Sequence, residues 1–127
     1  MSIMSGLLAW FFFAGICVAG ESEFTIAVAA DGQEKTGRIS KVAGRAPYFL
    51  IFDKNSNVLE TVANPHADAA GGAGPKTAKF LADKKINLVM AGSFGQKMAA
   101  ALTAANIKFI EQQGIIIDEV KGANHAD

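Results

Sequence analysis

Two glycine loops hold the residue types with the clearest chemistry: Gly71-Gly72-Ala73-Gly74-Pro75 and Gly92-Ser93-Phe94-Gly95-Gln96. Each precedes a segment with helical patterning. A glycine loop at a helix start presents backbone N–H groups and the positive end of the helix dipole, and glycine allows a ligand to approach the backbone closely. Two such loops in one short chain predict a concave site for an anion, with Gly71, Gly72, Gly74, Gly92, Ser93 and Gly95 as candidate binding residues. Arg45 joins them, because a planar guanidinium can fork onto an anion through two parallel N–H bonds; its competing role is a surface ion pair. Lys76 and Lys97 fall in the first turns of the predicted helices. The dipole does not favour cations there, so a nearby anion would explain them, as would plain solvation. His66, in the loop before Gly71, is the candidate metal ligand through its neutral imidazole, or else simply an exposed loop residue. His125 lies in a polar tail. Met90 and Met98 are soft donors whose positions also suit core packing.

Other chemistries find less support. The chain has two histidines and one cysteine, Cys17, too few for a Ser-His-Asp or Cys-His constellation. Without the first 20 residues it has no thiol, hence no disulfide and no cysteine-ligated iron–sulfur or zinc site. Asp31, Asp53 and Glu60 raise the question of a two-metal nuclease, but Asp31-Gly32 and Asp53-Lys54 are also good turn residues. Gly71 to Thr77 looks superficially like a phosphate loop, yet Pro75 separates the last glycine from Lys76 and removes a needed N–H. Twelve basic and twelve acidic side chains in 127 residues give no general attraction to nucleic acid. No basic-aromatic stripe suggests it either.

The elements that must position these residues follow from the hydrophobic pattern. Phe24 to Ala30 reads as a buried strand ending at Asp31-Gly32. Ile39 to Val42 is expected as a short second strand. Tyr48 to Phe52 and Val58 to Val62 flank Lys54-Asn55-Ser56-Asn57 and predict a hairpin. A helix is expected from Pro75, where a missing N–H costs nothing, with Ala78, Leu81 and Ala82 inward. Asn87 to Ala91 is a strand. A second helix over Phe94 to Ala105 places Met98, Ala101, Leu102 and Ala105 on one stripe, and Asn106 is a left-handed stop. Lys108 to Glu111 is a last strand, and Gly114 to Gly122 suits either strand or short helix. A hairpin-rich first half and an alternating second half predict one α/β domain: a mixed sheet with helices packed on it.

Residues 1–20 carry no charge, and Leu7 to Gly20 is almost wholly apolar before Glu21-Ser22-Glu23. This resembles the core of a secretory signal with a small-residue cleavage site near Ala19 or Gly20, although no Lys or Arg precedes it. The expected location is exported or periplasmic. The alternatives are a membrane tether through residues 1–20, and a cytoplasmic protein with a misassigned start. The domain proper is expected over residues 21–127.

Five segments together resemble the dinitrogenase iron–molybdenum cofactor biosynthesis family, which includes NifX and the NifB C-terminal domain. They are Ile26-Ala27-Val28-Ala29-Ala30-Asp31-Gly32, Gly44-Arg45-Ala46-Pro47-Tyr48-Phe49, Asn64-Pro65-His66, Gly71-Gly72-Ala73-Gly74 and Ala91-Gly92-Ser93-Phe94-Gly95. The resemblance spans residues 24–121. It implies a ribonuclease-H-like α/β fold, a non-catalytic role, and binding or carriage of an iron–molybdenum or other metal–sulfur cluster. It also implies a protein partner that donates or accepts the cluster. The family commonly shows His-Phe-Gly-Arg where this chain has Val42-Ala43-Gly44-Arg45, so a plausible cluster ligand is replaced by a side chain that cannot coordinate.

Overall fold

The computed structural model describes residues 24–124. The predicted leader over residues 1–20 and His125 lie outside them. The elements are β1 (Ile26–Ala30), a 3-10 turn (Ala43–Arg45), β2 (Tyr48–Phe52), β3 (Val58–Ala63), α1 (Ala73–Asp83), β4 (Leu88–Ala91), α2 (Gln96–Ala104), β5 (Lys108–Glu111) and α3 (Ile116–Asn124). Among the described residues no helix is long and apolar enough to cross a membrane.

The strands form one five-stranded sheet in the order β3-β2-β1-β4-β5. β1 is antiparallel to β2 and parallel to β4; β2–β3 is antiparallel and β4–β5 parallel. This mixed sheet with helices on both faces is the expected ribonuclease-H-like α/β class. The centre lies at β1, whose five residues are all buried, as a strand covered on both faces requires.

Strand alternation divides the apolar residues between two cores. On one face Ala27, Ala29, Phe49, Ile51, Val89 and Ala91 pack under Leu81 of α1 and Met98 and Leu102 of α2. On the other face Ile26, Val28, Leu50, Phe52 and Met90 pack against Ile116 and Val120 of α3. Truncating a buried leucine such as Leu81 to alanine would cost about 2–5 kcal/mol. α2 is rich in alanine, a strong helix former, and ends before Asn106 at φ 61°, the left-handed stop expected from sequence.

The expected strand over Ile39–Val42 does not form. Ile39 makes only an isolated bridge with Ala30. The next residues instead tie down the ends of two strands: Ser40 N–H donates to the Ala29 carbonyl, Gly92 N–H to the Ser40 carbonyl and Ala43 N–H to the Ser93 carbonyl. Their backbone groups are satisfied without a ladder. Both helices also begin at positions other than those expected. α1 starts at Ala73, so Pro75 is its third residue, still within the turn whose N–H groups have no intrahelical partner. α2 starts at Gln96, leaving Phe94 to pack on Phe109 with ring centroids 4.9 Å apart. The ambiguous tail is helical from Ile116.

Candidate functional site

β1 and β4 run parallel, and β2 starts beside the end of β1, with Tyr48 paired to Ala30. The 3-10 turn before β2, the start of α1 and the loop from β4 into α2 therefore meet at the carboxyl edge of the parallel strands. Ligands in open α/β sheets commonly bind at this edge. A cavity of about 360 Å³ opens there, lined by residues 42, 44 and 45 of the turn segment, 72–75 at the start of α1 and 95–98 at the start of α2.

The close approach of these walls depends on glycine. A methyl group at Gly74 would stand 2.9 Å from Met98 Cβ, and one at Gly44 would stand 3.0 Å from Gly74 Cα. The turn, α1 and α2 thus touch through two positions without side chains. Gly72, the residue before α1, has φ 70°, a left-handed conformation that glycine adopts freely.

Neither helix start is capped. Gly72 and Gly95 precede the helices, no side chain bonds to their free N–H groups, and neither first turn contains an acidic residue. The first intrahelical bonds are Lys76 N–H to the Gly72 carbonyl and Ala99 N–H to the Gly95 carbonyl. The N–H groups of Ala73 and Gly74, and of Gln96, Lys97 and Met98, thus precede the hydrogen-bonded ladder. Arg45 and Lys97 line the same cavity, and no carboxylate does. The combined field of two dipole ends and two cations favours an anion.

The candidates named from sequence separate here. Arg45, Gly72, Gly74 and Gly95 line the cavity; Gly71, Gly92, Ser93 and His66 do not. Gly92 is required by packing: a methyl group there would stand 2.8 Å from the Lys41 carbonyl oxygen. The Ser93 hydroxyl donates to that same oxygen at 2.8 Å, so both residues hold the 39–42 segment, a strap, against the end of β4. His66 is half-buried, its ring edge-on to Phe80 at 6.4 Å between centroids. Arg45 Nη1 donates to the carbonyls of Ala69 at 2.6 Å and Ala67 at 3.2 Å. Met90 is buried on the opposite face, whereas Met98 is buried and also lines the cavity. Among the described residues, no group of three or more His, Cys, Asp or Glu side chains is placed to hold a metal ion. Glu60 instead pairs with Lys84 at 2.9 Å, and Asp53 bonds within its own turn.

Three residues of this region carried no chemical role from sequence alone. Asn64 and Thr77 are buried polar side chains that bond to the turn bearing Arg45. Gln96, at the start of α2, faces the cavity. In the sequence, Asn64 is marked only by the Asn64-Pro65-His66 segment of the family resemblance.

A sequence model described as dinitrogenase iron–molybdenum cofactor matches residues 25–123. The chain belongs to this family. No curated protein matches it. Among solved structures it is similar to the apo form of the orange protein from Desulfovibrio gigas, with 29% identity, a TM-score of 0.72, and coverage of 80% of this chain and 86% of that one. A NifB-like protein from Thermotoga of the DUF35 family shares 33% identity at a TM-score of 0.65, covering 79% of this chain and 85% of that one. The protein PH0822, at 21% identity and a TM-score of 0.67, covers 80% and 90% respectively and shows the shared fold alone. Where the family resemblance implies a histidine, this member has Val42, 45% exposed at the cavity wall.

Proposed function

We propose that this chain binds and carries a preformed anionic metal–sulfur or molybdenum species in the cavity between its two helix starts. The observation that supports the reading best is the convergence of two uncapped helix N-termini with Arg45 and Lys97 around one cavity that has no carboxylate lining. The cargo is held from outside its own coordination sphere, by N–H groups and positive charge. Val42, Ala73, Pro75 and Met98 supply apolar wall, which suits a large, polarisable anion more than a small, strongly hydrated one. Met98 is the single soft donor in the lining. The lining has no carboxylate, histidine, cysteine or hydroxyl, and its one amine belongs to the exposed Lys97, so the wall offers N–H groups and positive charge for holding an anion. The description of the family as dinitrogenase iron–molybdenum cofactor supports the same reading, with a protein partner that gives or takes the cargo.

The test is uptake by the full 127-residue chain from tetrathiomolybdate, from molybdate, and from iron or copper with sulfide. Metal content and visible absorption are read after desalting. Stoichiometric metal with charge-transfer bands is expected, and Arg45→Ala should weaken uptake about tenfold or more, the usual effect of losing a hydrogen bond to a charged partner. A colourless, metal-free protein under every condition would overturn the reading. It would leave a protein-interaction module that kept the fold, with Val42 marking a lost ligand.

A further inference from the structure

Asn64 sits at the end of β3 and Thr77 in the middle of α1, and both are buried without being part of the cavity lining. The Asn64 carboxamide is fully used. Nδ2 donates to the carbonyls of Ala46 at 3.0 Å and Gly44 at 3.3 Å, while Oδ1 accepts from His66 N–H at 3.0 Å and from the Thr77 hydroxyl at 3.3 Å. The Thr77 hydroxyl also stands 3.3 Å from the Gly44 carbonyl, its alternative acceptor. The two carbonyls held by Asn64 belong to the residues on either side of Arg45.

The bonding is reciprocal. Asn64 reaches from the loop into the turn, and Arg45 reaches from the turn back to the loop, where Nη1 donates to Ala67 and Ala69. That loop runs on to Gly72, the residue before α1. The two segments therefore clasp each other, and Thr77 fastens the clasp to α1.

We infer that Asn64 and Thr77 are positioning residues for the anion cavity: their buried hydrogen bonds set the turn bearing Arg45 against the start of α1. The inference rests on the carrier reading. A guanidinium held in place before the ligand arrives loses less conformational freedom on binding. Five donor–acceptor contacts converge on two buried side chains at this one joint. Removing the Asn64 carboxamide takes its donor from the buried Ala46 carbonyl and leaves the Gly44 carbonyl to Thr77 alone, and removing the Thr77 hydroxyl takes one donor from the Gly44 carbonyl and Asn64 Oδ1 together; in either case the turn loosens. Arg45 then samples many orientations.

The experiment uses the full chain as wild type, Asn64→Ser, Thr77→Val, Thr77→Ser, and Asn64→Ser combined with Arg45→Ala. Tetrathiomolybdate is titrated well below each variant's Tm, and the order of the Arg45 Nε–H is measured by NMR relaxation without ligand. Asn64→Ser and Thr77→Val should weaken affinity about tenfold, as expected when a hydrogen bond that orders a charged group is lost. Thr77→Ser, which keeps the hydroxyl, should stay within about twofold. In the Arg45→Ala background most of the Asn64→Ser effect should vanish, because it acts through Arg45. The Arg45 Nε–H should become more mobile in Asn64→Ser and Thr77→Val. Variants that lose Tm yet keep wild-type affinity and Arg45 order would overturn the inference, reducing both residues to stabilisers of the fold. Should Asn64→Ser not fold, the Thr77→Val and Thr77→Ser pair decides. A wild-type chain that takes up no thiomolybdate overturns the carrier reading instead. The clasp is then judged on Arg45 order, and unchanged order in the variants overturns it.

Discussion

A methyl group added at Gly92 would stand 2.8 Å from the Lys41 carbonyl oxygen and 2.9 Å from Lys41 Cα, whereas one added at Gly95 would meet nothing within 4 Å. The two glycines of one loop therefore have opposite sensitivities. Gly92→Ala forces backbone against backbone and should cost about 2 kcal/mol, as overpacking does, without altering the cavity lining. Gly95→Ala should cost below about 1 kcal/mol, the scale of a changed cap position, but it adds a methyl group to the cavity wall. Chemical denaturation and tetrathiomolybdate titration of the two variants check this. Loss of stability in Gly92→Ala and loss of affinity in Gly95→Ala are expected, and the reverse pattern would refute the assignment. In the sequence both residues read simply as glycine before a helix. The distinction arises from Lys41, some fifty residues distant in the chain, whose backbone crosses above Gly92. The surroundings of His66 are likewise set by a distant residue, Phe80, whose ring lies edge-on beside its own.

At the scale of the element, the β2–β3 hairpin depends on one carboxylate. Asp53 Oδ1 accepts the N–H groups of Asn55 at 2.8 Å and Asn57 at 2.9 Å. These bonds, led by that from Asn57, favour the charged form and hold Asp53 below its ordinary value of 3.8 against a smaller opposing effect of desolvation. A folded pKa below the unfolded one means that the stabilisation is fully present above the unfolded value and is lost as pH falls through the folded value. Asp53→Asn should therefore be less stable than wild type at pH 7, with the gap closing as pH drops below about 4. Urea denaturation across pH checks this; a gap independent of pH would show that the carboxylate charge is irrelevant. The turn itself was legible, since Asp53, Asn55, Ser56 and Asn57 are turn formers. The segment over Ile39–Val42 was not. Its apolar ends suggested a strand, but its backbone groups found partners at the ends of β1 and β4 instead.

For the whole molecule, the notable contrast is between a formal net charge of zero and a cavity lined by two cations and no carboxylate. Arg45 and Lys97 are exposed, so mobile ions screen their contribution. Raising sodium chloride from 0.05 to 0.5 M should weaken tetrathiomolybdate binding by roughly several-fold, with little change in Tm. Titrations at several salt concentrations test this, and a flat response would show that the apolar wall rather than charge holds the anion. The mixed sheet explains how a neutral chain achieves this local field. It collects four chain reversals at one edge; three of them lead into helices, and two of those helices, α1 and α2, begin at the cavity.

The sequence by itself determined the strands β1 to β5, the two helices after the glycine loops, the mixed α/β class, the family, and Arg45 with the two loops as the region to watch. Those features are written in local pattern: apolar period, turn residues and glycine before helical stretches. Tertiary structure alone decided which glycines line a cavity and which only permit contact. It also turned Ile39–Val42 into a strap and made the tail a helix by packing Ile116 and Val120 on the sheet. Finally, it joined Asn64, Thr77 and Arg45 into one hydrogen-bonded unit. Each of these outcomes depends on contacts between residues far apart in the chain, and the free energy of such contacts appears only once the sheet has brought them within a few ångströms.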